Sequence, residues 1–578
     1  MMRQSTEHTF TSWDGTNLFY RNWQGNSNKA VLLFHRGHEH SARWQDVVTQ
    51  LNLPEFHIFA WDARGHGHSP GERGYAETFN HLIKDVDSFV HFISDTYHIP
   101  HENMIILAHS VGSVLVSTWV HDYAPNIRAL ILGSPALRVR LYVPFAIPVL
   151  RLFLKFKKKI FINSYVKGKL LTHDPQKIDY YNNDPLITRA IAVNILVGLY
   201  DAGTRLMQDA GAITVPTLLL TSGADWVVKQ SAQKKFFAGL SSRKKEMHLF
   251  PDFFHDTFNE KENFYPINAA RRYIIEAFSS PREQPNLQHA DKEGYTKAEY
   301  DTLSSPLPTL SPKRLAFGLF RYALRTLGIM SQAIQLGWKY GFDSGTMLDY
   351  VYRNKANGTG IIGKIMDRIY LDSIGWRGIR QRKIHIETML RQTIEKVITE
   401  KDHATIVDIA TGHGRYVLDV IKDYPTTKVT AILRDYNEVN VKAGNDLAAE
   451  LGLHNVTYQQ GDAFDRNAIQ QISVNPDIII VSGLYELFPD NTMVSTSLQA
   501  LGMLAQKGTI LIYTNQPWHP QLELIARVLP SHRDGKPWIM RRRTQQEMDQ
   551  LVSVAGFKKL AMDIDGFGIF SVSLARKE

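Results

Sequence analysis

The stretch Met104-Ile105-Ile106-Leu107-Ala108-His109-Ser110-Val111-Gly112 decides the fold of the first half of the chain. Its four leading apolar residues read as a buried strand, and small-x-Ser-x-Gly directly after them reads as a sharp strand-to-helix turn. Such a turn holds a serine in a strained bend with Oγ exposed at the carboxyl edge of a sheet. It requires small residues two before and two after the serine. Ala108 stands where glycine is commoner, which the packing tolerates. The pentapeptide alone recurs by chance, so its meaning rests on its surroundings.

Those surroundings supply an acid and a base in the chain order Ser, acid, His. Thr217-Leu218-Leu219-Leu220 runs into Thr-Ser-Gly-Ala-Asp, which puts Asp225 in a loop just past a buried strand. Met247-His248-Leu249-Phe250 leads into Pro-Asp-Phe-Phe-His, which puts His255 just past the next one. In that arrangement His255 takes the proton of Ser110, and Asp225 fixes the imidazole tautomer and stabilises its cation. A lone loop His or Asp usually has no chemical role. Three such residues, ordered and each beyond a strand, point to a serine nucleophile. Upstream, Val31–Phe34 enters His35-Arg36-Gly37-His38-Glu39-His40-Ser41. The backbone N–H near Gly37, with that of Val111, is the expected oxyanion hole. Phe59–Trp61 enters Asp62-Ala63-Arg64-Gly65-His66-Gly67-His68-Ser69, where Asp62, Arg64 and His66 read as braces for a tight loop.

The segments His-x-Gly-x-Glu-His-Ser, Asp-x-Arg-Gly-His-Gly-x-Ser and small-His-Ser-x-Gly resemble the monoacylglycerol lipase and lysophospholipase group, which shares its hydrolase domain with serine aminopeptidases. Tyr180-Tyr181-Asn182-Asn183-Asp184-Pro185-Leu186-Ile187 is similar to that family's cap. The resemblance implies an α/β-hydrolase domain over residues 1–278, with a helical cap at about 137–212. Arg36 departs from it, standing where the family has glycine, and is expected to alter or narrow the acyl pocket. The cap opens with the apolar run Leu141–Leu150 and continues through Arg151–Lys159 with clustered lysines. Two readings stay open: a surface that sits in a lipid interface and meets anionic head groups, or a buried cap helix with a solvated lysine end. The uncharged run falls short of the roughly 20 residues needed to span a bilayer.

At 578 residues the chain is too long for one such domain, given roughly 150 residues per domain. Its 44% hydrophobic and 21% charged content is ordinary for a globular protein. The net charge of +9, from 66 basic and 57 acidic residues, is spread over a long chain and does not by itself imply nucleic acid. No zinc knuckle or other nucleic-acid motif supports that partner. The lack of cysteine excludes disulfides, thiolate metal sites and a cysteine nucleophile, and no metal is expected. Met-Met-Arg-Gln-Ser-Thr-Glu-His has no apolar h-region, so the expected location is cytoplasmic, with room for peripheral contact at the inner membrane.

Residues 279–312 are polar and carry Pro281, Pro285, Pro306, Pro308 and Pro312, which predicts a linker. Residues 313–400 read as helical and basic, with Gly341–Gly363 as an irregular interruption. A second chemical signal follows. Ile406-Val407-Asp408-Ile409-Ala410 reads as a short buried strand bent into a helix by Thr411-Gly412-His413-Gly414-Arg415-Tyr416. Gly412 and Gly414 let the backbone approach a ligand at the strand's carboxyl end. The missing third glycine of the dinucleotide fingerprint argues against NAD, and Asp408 suits a cationic amine better than a diphosphate. Lys428–Leu433 leads to Asp435, placed to accept from ribose hydroxyls. Val456–Gln460 leads to Asp462, placed for an adenine amine or, alternatively, as a helix N-cap.

Further strands are predicted at Asp477–Val481, Gly508–Tyr513, Lys559–Asp563 and Ile569–Ser573. The series resembles the class I S-adenosylmethionine (SAM)-dependent methyltransferase fold over 401–578, with 313–400 attached to it. The resemblance implies SAM as cofactor, with Asp408 near its methionine moiety, Asp435 on ribose and Asp462 on adenine. Tyr485, Glu486, Asn515 and His519 lie where acceptor-side residues project, although a structural role is the commoner fate at each.

The whole chain is similar to bacterial bifunctional α/β-hydrolase/class I methyltransferase proteins. That implies cleavage of an acyl ester, of lysophospholipid or monoacylglycerol type, and methyl transfer to a lipid-related or small-molecule acceptor. One alternative is a peptidase or soluble-ester hydrolase fused to a SAM-binding regulatory module. Another has the basic helices of 313–383 and Arg541-Arg542-Arg543 holding RNA, which is disfavoured because no stacking aromatics are organised around those charges.

Overall fold

Apolar runs such as Ala30–Phe34, residues 104–108 and Ala129–Gly133 are buried along their full length, as strands covered by helices on both faces must be. The computed structural model describes residues 3–282, 284–533 and 535–578. The chain forms two compact units, Met1–Pro285 and Asn286–Glu578.

In the first unit, strands β1 (Thr6–Thr11), β2 (Asn17–Trp23), β3 (Ala30–Phe34), β4 (His57–Trp61), β5 (Met104–His109) and β6 (Ala129–Gly133) precede a cap. The cap carries the hairpin of β7 (Phe161–Asn163) and β8 (Ala190–Ala192); β9 (Thr217–Ser222) and β10 (Lys245–Phe250) follow it. The sheet order is β1-β2-β4-β3-β5-β6-β9-β10. β1, β2 and β4 pair antiparallel, and the strands from β4 to β10 run parallel, so their carboxyl ends form one edge. This is the α/β-hydrolase sheet. The helix Val111–Tyr123, buried almost end to end, starts at that edge directly after β5. The cap helix Ala146–Phe156 buries only Ile147, while Phe153 and Phe156 are exposed. A buried cap helix is therefore not what forms.

The second unit holds β11 (Ala404–Asp408), β12 (Val429–Asp435), β13 (Val456–Gln460), β14 (Ile478–Val481), β15 (Ile510–Asn515), β16 (Phe557–Ile564) and β17 (Ser571–Lys577). Their order is β13-β12-β11-β14-β15-β17-β16. β13 through β15 are parallel, and β17 is antiparallel to both β15 and β16. The order reverses between β11 and β14, which opens a crevice at the carboxyl ends of the strands. This is the expected Rossmann-like methyltransferase sheet.

Two segments differ from expectation. The predicted linker contains the helix Tyr295–Ser304 and packs within the second unit from Asn286 onward. The helix buries just Thr296 and Leu303, so it carries no apolar stripe to read. Polar contacts hold it instead: Glu299 pairs with Arg542, Thr296 accepts from Arg541, and Arg527 donates to the Thr302 and Ser305 carbonyls. The run Arg541-Arg542-Arg543 is accordingly buried, each residue 1% exposed, and does not form a basic surface. Gly341–Gly363 is not irregular either, since the helices Gly345–Arg353 and Gly360–Leu371 begin within it. Its glycines serve close approach. A Cβ at Gly358 would lie 2.2 Å from the Gly363 carbonyl oxygen, and one at Gly345 2.6 Å from the Asn440 side chain.

Candidate active sites

At the end of β5, Ser110 adopts φ 54° and ψ −112°, the strained bend expected of a serine between strand and helix. Gly112 is required there, because a Cβ would lie 2.5 Å from the carbonyl oxygen of His35 and 2.7 Å from that of Phe34. Ser110 Oγ donates to His255 Nε2 at 2.7 Å, and His255 Nδ1 donates to Asp225 Oδ2 at 2.8 Å. Asp225 Oδ1 accepts the backbone N–H groups of Val227 at 2.7 Å and Val228 at 2.9 Å. Burial opposes the Asp225 charge, but His255 and these two amides hold its carboxyl below the usual range. All three side chains are buried. Their chain of hydrogen bonds joins residues brought from three separate strand ends, with Ser110 and His255 145 positions apart.

Gly37 packs against Val111, whose Cγ2 lies 3.1 Å from where a Cβ on Gly37 would sit. Gly37, Val111, Ser110 and His255 all line a cavity of about 150 Å³. Trp61, Leu115, Ile195, Leu196, Leu199 and Val227 give that cavity an apolar wall. His38 also lines it and is kept neutral by burial, its pKa pushed down to about 3.

Sequence reasoning missed His109, whose Nε2 donates to the His255 carbonyl at 3.0 Å and steadies that backbone. Asp62 accepts from Ser41 N at 2.6 Å and His68 N at 2.8 Å, and Arg64 bridges Asp14 and Asp85, so both brace the loop. His66 Nδ1 donates to the Arg64 carbonyl at 3.0 Å.

Arg36 lines the cavity, and its guanidinium is held in a buried ionic network. That group bonds Glu39 at 2.6 Å, lies 3.5 Å from Asp256 and stacks on the Tyr181 ring. That buried ionic network also takes in Arg43. Despite its burial, Asp256 is held below the usual carboxylate range by Arg36, His109 and Arg43. Asp184 of the cap bonds His40 Nε2 at 2.8 Å, tying cap to oxyanion loop. Asp256→Ala would leave two buried guanidinium groups sharing Glu39. It is expected to cost about 3–5 kcal/mol, read as a fall in the denaturant midpoint of the first transition. A shift under about 1 kcal/mol would show that Glu39 alone balances both arginines.

In the second unit a cavity of about 460 Å³ opens at the carboxyl ends of β11, β12, β13 and β14. Gly412 and Gly414, at φ 60° and 70°, line it. Asp435 and Asp462 line it as well, but Asp408 does not. Asp408 is fully buried, accepting from Tyr416 Oη at 2.5 Å and Ala410 N at 3.2 Å. Burial pushes its carboxyl up to about 7, and its hydrogen bonds to Tyr416 and Ala410 tie it to the glycine turn. Asp435 accepts from Gly412 N at 2.9 Å, Asn437 N at 2.9 Å and Asn440 Nδ2 at 3.0 Å. Burial nevertheless pushes its carboxyl up. Asp462 is exposed and accepts from Phe464 N at 2.9 Å, whereas the helix cap is Asp465.

The helical segment 313–400 supplies a wall of this cavity through Asp343, Ser344, Gly345, Leu348 and Arg382, which sequence reasoning did not foresee. Among the described residues, buried lining atoms that include His413 Nε2 and Ser482 Oγ have no hydrogen-bond partner. Of the four acceptor-side positions, Tyr485 donates to Ser497 and Asn515 donates to the Arg543 carbonyl, so both are structural. Glu486 and His519 face a neighbouring cavity.

Residues 270–577 match the family model described as "Putative methyltransferase", and residues 25–262 match "Serine aminopeptidase, S33". The YnbC protein of Escherichia coli (strain K12) is 48% identical over 573 residues, spanning 98% of this chain and 98% of its own length. Phospholipase YtpA of Bacillus subtilis (strain 168) is 25% identical over 255 residues, covering 43% of this chain and 97% of its own. The monoglyceride lipase of Homo sapiens is 28% identical over 250 residues, or 42% of this chain and 80% of its own. The chain therefore belongs to the family of the first match, as a methyltransferase-family protein that carries an α/β-hydrolase domain of the serine aminopeptidase S33 type at its amino end.

Proposed function

We propose that the chain is a bifunctional enzyme that cleaves an acyl ester of lysophospholipid or monoacylglycerol type and methylates a lipid-related acceptor with SAM. The observation that carries the first half is the unbroken chain Ser110–His255–Asp225 opening on an apolar cavity. Relatives named as a phospholipase and a monoglyceride lipase support that substrate class.

Ser110 Oγ attacks the ester carbonyl while its proton passes to His255 Nε2. The N–H groups at Gly37 and Val111 stabilise the oxyanion. The intermediate collapses with the His255 proton delivered to the departing alcohol. Water, deprotonated by His255, then attacks the acyl-serine, and Ser110 recovers its proton as the fatty acid leaves. The apolar lining suits an acyl chain, and the exposed Phe153 and Phe156 of the cap helix suit contact with a lipid interface.

The residues around the larger cavity fit SAM. Asp435 suits the ribose hydroxyls and Asp462 the adenine amine, Gly412 and Gly414 admit close backbone approach, and His413 Nε2 and Ser482 Oγ offer unpaired polar atoms. When bound, SAM supplies an electrophilic methyl group. The chain's part is to hold the acceptor in line with that methyl and exclude water, which is a proximity effect.

Purified full-length protein incubated with bacterial lipid extract and methyl-labelled SAM is expected to release fatty acid and to place label in a lipid, both read by mass spectrometry. If neither appears while a fluorophosphonate probe still modifies Ser110, the substrate is a soluble ester or peptide. Label bound but never transferred would make the second half a SAM-binding regulator.

A further inference from the structure

A second cavity of the Asn286–Glu578 unit, about 440 Å³ in volume, adjoins the first and shares Asp343, Leu348, Arg382, Gly483 and Leu487 with it; the Asp343 carboxylate is already taken by Ser531 Oγ and His532 N. Trp376, Ile379, Trp538, Met540 and Phe570 make its wall strongly apolar. Its few polar groups include Glu486, His519, Gln516 and the shared Arg382. Glu486 is 8% exposed; its Oε1 lies 3.5 Å from Arg382 Nη1, and its Oε2 is buried without a hydrogen-bond partner among the described residues. Gln516, 2% exposed, likewise has Nε2 buried with no hydrogen-bond partner among the described residues. An unpaired acceptor and an unpaired donor on one apolar cavity match the polar head of an amphiphile, since leaving such groups unsatisfied is costly.

The cavity's lining also includes two helices with unusual outer faces. Phe320 and Leu324 come from the helix Pro312–Thr326, and Met366 and Ile369 come from the helix Gly360–Leu371. On the first helix Leu315 is 76% and Leu319 67% exposed; on the second Ile361 is 80% and Ile365 54% exposed. Each pair is spaced four residues apart, so each helix shows an apolar stripe to solvent. Every exposed charge on these two helices is positive: Lys313, Arg314, Arg325 and Lys364. Apolar stripes with basic flanks are the composition of a surface that lies in an anionic lipid interface.

We propose that this cavity is the methyl-acceptor site, and that the acceptor is a membrane amphiphile admitted from an anionic bilayer on which the helices Pro312–Thr326 and Gly360–Leu371 rest. The inference builds on the methyltransferase reading above. The amphiphile's chain lies along the tryptophans, and its hydroxyl or amine meets Glu486. As the methyl–sulfur bond breaks and the new bond to oxygen or nitrogen forms, the acceptor's proton passes to Glu486 Oε2. The sulfonium charge is lost, leaving a neutral thioether, and Glu486 becomes a neutral acid. Arg382, beside Glu486 and on both cavities, positions that carboxylate.

The test is flotation of the full-length protein with vesicles of phosphatidylethanolamine and phosphatidylglycerol, against phosphatidylcholine alone. The wild-type chain is expected to float with the anionic vesicles. The double variant Leu319→Glu/Ile365→Glu is expected to lose at least about tenfold in binding, because each change removes the burial of a large apolar side chain. Its SAM affinity, measured by calorimetry, should be unchanged. Phe153→Glu/Phe156→Glu, on the hydrolase cap, is the contrast. If only this cap variant detaches the protein, or if neither does, the proposed docking face is overturned.

Ile379→Trp, which fills the cavity, is expected to abolish label transfer into vesicle lipid while SAM still binds. Glu486→Gln provides the same readout should Ile379→Trp not fold. Undiminished transfer in the folded variants would overturn the acceptor assignment. Failure of the wild-type chain to bind SAM would instead bring down the methyltransferase reading itself.

Discussion

Ser110→Ala is expected to lower hydrolytic turnover by about 10⁵- to 10⁶-fold, the loss seen when a triad nucleophile is removed. The reason is local. Ser110 Oγ makes its hydrogen bond to His255 Nε2, and no other hydroxyl in that chain of bonds can form the acyl intermediate. Stability should be nearly unchanged, because alanine keeps the same small volume and the same φ of 54°. Release of fatty acid from a monoacylglycerol, followed together with thermal unfolding, checks both statements. Labelling by a fluorophosphonate should vanish in the same variant. Asp225→Asn should be milder, about 10⁴-fold, since the geometry survives while the imidazole tautomer is no longer enforced. Hydrolysis by Ser110→Ala above a hundredth of the parent rate would remove Ser110 from the chemistry.

The second large effect is expected at Asp435. Replacing it with alanine should weaken SAM binding by roughly 10- to 100-fold, the worth of a charge-assisted pair of hydrogen bonds in a buried site. The carboxylate also fixes its surroundings, accepting from Gly412, Asn437 and Asn440, so the glycine turn loses one of its supports. Asp435→Asn separates the two roles, since it keeps the shape but not the charge. Isothermal calorimetry with SAM, read beside the unfolding temperature of the free protein, gives the answer. Asp462→Ala should cost less, because its exposed carboxylate meets a ligand in competition with water. Equal affinity in the parent and Asp435→Ala would move the ribose contact elsewhere. Hydrolysis of a monoacylglycerol should be untouched in every one of these variants.

What could be read in the chain has a physical pattern. Strands buried on both faces must be apolar throughout, so β3, β5, β6, β9, β11 and β14 announce themselves. The turns after β5 and β11 are just as legible, because small residues there answer contacts within a few positions of the chain. The polar helix Tyr295–Ser304 was not legible, because the partners of Thr296 and Glu299 are Arg541 and Arg542, more than two hundred positions away. The network around Arg36 was only half legible, since Glu39 is three residues away whereas Asp256 and Tyr181 lie far along the chain. The surroundings of Asp408 were not legible either, because a carboxylate at a strand end can point toward a ligand or into the core, and only packing brings it to Tyr416.

The sequence alone therefore determined that there are two α/β sheets, and it singled out Ser110, Asp225, His255 and Asp435 as candidates, since each is written in a local pattern of burial and turn. Tertiary structure alone decided that Ser110, His255 and Asp225 form one hydrogen-bonded line. It alone decided that the segment 313–400 walls the larger cavity, and that Glu486 faces an apolar neighbour while Tyr485 beside it does not. These depend on distances between residues remote in the chain, which hydrophobic period and turn chemistry do not encode.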